Sequence, residues 1–96
     1  MKLKHFVRII LACTLILVAG ASALGWWGRV TADILNVRAK PSIKSRIVGK
    51  LQEGEYVEGG QSQRDNTGRT WYNVHFQDGI TEIQGWVAAE YIARDR

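Results

Sequence analysis

The sequence is poor in the residues that staple, stiffen or arm a small protein. It holds one cysteine, Cys13, and one proline, Pro41. Cys13 lies inside an apolar run near the amino terminus, so the remainder of the chain has no disulfide and no thiolate metal site. No stretch repeats the 3.6-residue apolar spacing of an amphipathic helix, and no internal repeat is visible, which excludes helical bundles and doubly wound sheets. Catalytic constellations are missing too. Ser42, Ser45 and Ser62 sit in polar segments where turn formation explains them, and no nucleophile stands beside a base. The reading is of a non-enzyme, with no catalytic residue, no cofactor and no metal.

What is present begins with a delivery signal. Lys2, Lys4 and Arg8 precede an apolar run from Ile9 to Ala19, and Ala21-Ser22-Ala23 places small residues where a signal peptidase reads. Residues 1–23 are expected to form a signal helix cleaved after Ala23, leaving an exported, periplasmic or secreted protein. The alternative is an uncleaved anchor over Ile9 to Leu24, with Trp26-Trp27 at the membrane interface. That stretch is shorter than the roughly 20 residues a spanning helix needs. Membrane contact is therefore expected only transiently, through the signal.

Removing the signal changes the charge argument. The formal charge of +4 rests on thirteen basic and nine acidic residues. Without Lys2, Lys4 and Arg8, ten bases face nine acids, so net charge does not support a nucleic-acid-binding face. Residues 24–96 form one small domain, able to bury only about 60% of its unfolded surface. Such a domain has a shallow surface, and a monomer is expected.

Short strands with glycine or proline punctuation follow. Leu24 to Gly28 reads as a linker or tail, with an indole lid as its alternative. Arg29 to Arg38 is extended, and its alternation changes phase at Ile34-Leu35, which predicts a bend or bulge. Residues 39–46 make a polar, basic excursion through Lys40, Lys44 and Arg46. Ile47 to Leu51 is the next strand, Gln52 to Glu55 a turn, and Tyr56-Val57 opens a third strand before a polar loop from Gly59 to Thr70. Trp71 to Phe76 is the best strand by composition, with Trp71, Asn73 and His75 opposite Tyr72, Val74 and Phe76. Asp78-Gly79 marks a tight hairpin turn before Ile80 to Val87. Ala88-Ala89-Glu90 reads as one helical turn, Tyr91-Ile92 as a last strand, and 94–96 as a tail. The expectation is an all-β, five-stranded barrel over residues 29–93.

An ordered set of motifs carries a family resemblance: Leu35-Asn36-Val37-Arg38 with Pro41-Ser42, Ile47-Val48-Gly49, Gly54, Trp71-Tyr72-Asn73-Val74, and Gly85 through Ile92. In this order and spacing the chain resembles the bacterial SH3-like (SH3b) domain. The resemblance implies a small five-stranded SH3-like barrel in an exported bacterial protein, where such modules commonly bind cell-wall peptide on behalf of an attached hydrolase. No hydrolase domain is present in these 96 residues. The implied function is recognition of peptidoglycan peptide or another envelope peptide in a shallow aromatic groove. The alternative is an accessory docking on a single exported partner protein through an edge strand or the Trp26-Trp27 segment.

Four residues are candidates for ligand binding. Trp71 is expected to present an exposed indole, with packing beneath the 59–70 loop as its alternative. Tyr91 is placed beside it by resemblance to the tyrosine of SH3-like grooves, or else closes the barrel. Asn36 and Arg38 share the outward side of their strand and reach a peptide backbone or, alternatively, local carbonyls. Trp86 reads as structural and His75 as a surface histidine. The recognition face is expected around Trp71, across the barrel from Ile34 to Ser42.

Overall fold

The computed structural model describes residues 25–95, so the expected signal over 1–23 and residue 96 of the tail lie outside the described residues. Seven strands form one antiparallel sheet: β1 (Trp26–Val30), β2 (Ile34–Arg38), β3 (Ile47–Gln52), β4 (Tyr56–Arg64), β5 (Thr70–Asp78), β6 (Thr81–Ala88) and β7 (Ile92–Arg94). A single 3-10 turn, Ala89–Tyr91, joins β6 to β7. The spatial order is β3-β2-β6-β5-β4-β1-β7. Every strand contributes to one core, through Trp26 and Val30, Leu35 and Val37, Leu51, Val57, Val74, Val87 and Ile92. A sheet whose strands all share one interior is curled on itself, and the architecture is the small all-β SH3-like barrel that the motifs imply.

The strand number differs from the expected five, for a local reason. The phase change at Ile34-Leu35 is not a bulge within one strand. The chain breaks at residues 31–33 into β1 and β2, because inward residues Val30 and Leu35 lie an odd number of positions apart and cannot share one face of an unbroken strand. A bulge does occur in this region, between Val37 and Arg38. The final strand, β7, then pairs with β1 rather than closing onto a neighbour in sequence.

Trp26 and Trp27 correct the expectation of a linker over 24–28. β1 alternates strictly, with Trp26, Gly28 and Val30 inward and Trp27 and Arg29 outward. It is held on one side by β4 and on the other by β7. The indole of Trp26 lies on Gly59, where any β-carbon would run into its six-membered ring. Its N–H donates to the carbonyl of Gly60 across 3.1 Å. Tyr72 meets the same ring edge-on, with centroids 4.8 Å apart, and the Arg94 guanidinium lies 4.5 Å from its centroid. Gly59-Gly60 is thus no loop: it is the bare part of β4 that admits a tryptophan, and the ladder to β5 shifts register just beyond it.

The expected 59–70 loop contracts accordingly. β4 runs to Arg64, and only residues 65–69 turn the chain. At the β5–β6 end, Asp78 pairs with Thr81 around a two-residue loop, Gly79-Ile80. Gly79 has φ of 65°, and no non-glycine residue has positive φ among the described residues, which is the pattern of a type II′ hairpin turn.

Candidate functional site

The outward residues of β2, Asn36 and Arg38, are half-buried because two other segments rise beside them. The first is the excursion over 39–46, which is folded rather than loose. Ala39 N–H donates to Arg46 O at 2.8 Å, Lys40 N–H to Ser45 Oγ at 2.8 Å, and Arg38 Nη1 to Ser45 O at 2.9 Å. Arg38 therefore satisfies a local carbonyl, as its alternative reading held, and in doing so ties the loop to β2. The tip of this loop exposes Ile43. The second segment is the 3-10 turn, which presents Tyr91 at the surface.

Trp71 is not the exposed indole expected from alternation. It is 2% exposed, yet it stands outside the core shared by the seven strands. Alternation places it correctly on the face away from that core, but the turn at 65–69 and its neighbours cover it. Asp65 organises this cover. Its Oδ1 accepts from the backbone N–H of Thr67 at 2.9 Å, the Thr67 hydroxyl at 2.6 Å and the N–H of Arg69 at 3.0 Å, while Oδ2 accepts from the Trp71 indole at 2.9 Å. These bonds, that of the Thr67 hydroxyl foremost and the Trp71 indole next, hold the Asp65 carboxyl well below the usual carboxylate range. Arg69 stands over the Trp71 ring at 5.9 Å from its centroid and pairs with Glu90 at 3.4 Å.

Asn36, Arg38, Trp71 and Tyr91 line one cleft of about 270 Å³. Ile34 and Ile43, both well exposed, stand on its rim. This overturns the expectation that the face around Trp71 lies across the barrel from Ile34 to Ser42; the two are parts of the same surface. The cleft shares Ile43 and Arg69 with a neighbouring basin of about 390 Å³ that reaches Ser42, Lys44 and Thr67. Together they offer apolar edges, an amide donor and acceptor at Asn36 and positive charge at Arg69. A shallow, open-ended surface of this chemistry suits an extended polar chain better than a compact small molecule.

Five lining residues were not among the candidates: Ile34, Leu35, Ile43, Arg69 and Ala88. Ile43 carried a signal, being the one large apolar residue among serines and lysines in a polar excursion. Asp65 carried another, since Asp65-Asn66-Thr67-Gly68 is a side-chain-capped turn pattern. Trp86 is half-buried at the junction where β6 meets Arg38 of β2. His75 is partly exposed and lies between Glu58, 3.4 Å from Nε2, and Glu82, 3.5 Å from Nδ1. Among the described residues no group of three or more His, Cys, Asp or Glu side chains is placed to hold a metal ion.

Comparison with known proteins bears on the cleft through the fold that carries it. No curated protein matches the chain. A family model for the bacterial SH3 domain matches residues 33–93, which takes in β2 through the first residues of β7 and hence every wall of the cleft. With more than half of its length matched by that model, the chain belongs to the bacterial SH3 domain family, a family of binding modules.

Proposed function

We propose that this chain is an exported, non-enzymatic binding module that holds a cell-wall peptide, or another envelope peptide, in the cleft lined by Asn36, Arg38, Trp71 and Tyr91. The carrying observation is that this cleft combines exposed apolar rims at Ile34, Ile43 and Tyr91 with a polar floor at Asn36. In this reading Asn36 bonds the peptide backbone, and Ile43 and Tyr91 grip its side chains. Trp71 is the buried floor that positions the wall, and Arg38 is the tie that keeps the 39–46 loop in place. Arg69 and Lys44 then favour a ligand bearing carboxylates.

Co-sedimentation with isolated sacculi tests this. The chain pellets with sacculi, and Tyr91→Ala, at an exposed position, and Asn36→Ala, at a half-buried one, reduce pelleting while the folded spectrum is kept. Equal, negligible pelleting of all three removes the cell-wall reading. Docking on one exported partner protein remains the second reading, favoured by β3 at the rim of the sheet with Ile47 exposed along it. Crosslinking in cells that recovers one stoichiometric protein, without sacculus binding, selects it.

A further inference from the structure

We propose that the outer face of β1, β4 and β5 carries a second recognition site, which takes a lysine or arginine side chain presented by a partner peptide. The site is a cleft of about 400 Å³ whose walls include Trp27, Tyr56, Glu58, His75 and Glu82. None of its residues lines the Asn36–Tyr91 cleft, so it is a separate surface.

The strand registers assemble it. Trp27 lies opposite Glu58, Glu58 opposite His75, and Tyr56 one step along the same outward face of β4. The fold does not need these two aromatic rings. Trp26, Gly28 and Val30 do the inward packing of β1, whereas Trp27 and Tyr56 are each 54% exposed. An indole and a phenol at the surface beside carboxylates attract a cation by the ring quadrupole and by charge at once. An apolar or anionic occupant would instead desolvate or oppose Glu58 and Glu82.

The chain uses the same pairing inside its own fold. The Arg94 guanidinium lies over Trp26 and near Tyr72, and that of Arg69 over Trp71. Among the described residues these are the stacked cations. Arg29, opposite Tyr56 in the register, is not among them, so the faces of Trp27 and Tyr56 have no cation of their own. Glu55, also in the cleft wall, is engaged by the backbone N–H of Gln52, whereas Glu58 and Glu82 each approach His75 through one oxygen, Oε1 and Oε2 respectively, and with side chains 40% and 62% exposed keep the other oxygen for a ligand.

Titration of the isotope-labelled full chain with trilysine, and separately with triglutamate, tests the proposal by nuclear magnetic resonance. Trilysine shifts the Trp27 indole N–H saturably, in the low-millimolar range of a single-residue contact, while the Trp26 and Trp71 indoles stay put. Triglutamate leaves Trp27 unmoved. Trp27→Ala and Glu58→Gln, both followed at the backbone amides of residues 58 and 75, each weaken trilysine binding about tenfold, and Trp27→Ala leaves sacculus pelleting unchanged, which separates this site from the other cleft. Shifts that spread over all carboxylates without saturating by about 10 mM, or an identical shift pattern with magnesium chloride, overturn it. So does a Trp27→Ala variant that binds trilysine as the parent does.

Discussion

The indole N–H of Trp71 donates to the carboxylate of Asp65 across 2.9 Å, and the same carboxylate closes its own turn on Thr67 and Arg69. One side chain thus sets both the shape of the β4–β5 turn and the height of the cleft floor. A tryptophan that sequence alternation directs toward solvent is held down by a residue six positions earlier.

A pH dependence follows from that arrangement. The Asp65 carboxyl is depressed in the folded state, so the stability it contributes is present above the ordinary carboxylate pKa of about 3.9 and drains away as acid protonates it. Asp65→Asn should melt below the parent at neutral pH. The gap between the two should narrow progressively as the pH is taken below about 4. Thermal melts of both proteins across that window read it directly, and a gap independent of pH contradicts the assignment.

Trp26 should prove a core residue. Trp26→Ala is expected to cost about 3–5 kcal/mol, whereas Trp27→Ala, on the outward side of the same strand, should stay within about 0.5 kcal/mol of the parent. Urea unfolding separates the two. Gly59→Ala should be disabling for the opposite reason, overpacking, since its methyl group would enter the space of the indole.

At the β5–β6 hairpin, Gly79→Ala forces an L side chain to a φ of 65° and should cost about 1–2 kcal/mol. Ile80→Ser, one residue on at a fully exposed position, should leave the unfolding midpoint unmoved. A chemical denaturation pair gives both answers.

For the cleft, Ile43→Ser should lower ligand binding by roughly tenfold, as loss of a rim contact worth about 1–2 kcal/mol. The exposed position predicts little change in melting temperature. Arg38→Ala should behave differently. It frees the 39–46 loop from β2, so binding and the loop's protection from amide exchange should fall together.

The barrel was legible in the sequence because period-two alternation, Gly54, Asp78-Gly79 and the ordered motifs are local signals. Trp26 was not, because its partner, Gly59, is a third of the chain away. A tryptophan between glycines and a glycine pair in a polar stretch each resemble looseness when read alone. They are complementary halves of one contact. Residue spacing likewise placed Trp71 on the correct face while saying nothing of what lay above it. Asn36 and Arg38 were seen beside one another on β2, but their meeting with Trp71 and Tyr91 depends on how the sheet curls. A linear pattern does not encode that curvature.

The pairing of β1 with both β4 and β7 has a kinetic meaning. Gly28 stands opposite Arg94 and Val30 opposite Ile92, so the first strand is zipped to the last. Such closure carries the full loop entropy of the chain between them and is slow compared with the β5–β6 hairpin, whose partners are neighbours in sequence. Hairpins can form early, but the seam that seals the interior waits for the last strand. Until it arrives, Ile92 stands outside the core and one edge of β1 has no partner, so the last few residues of the chain decide when the interior is shut.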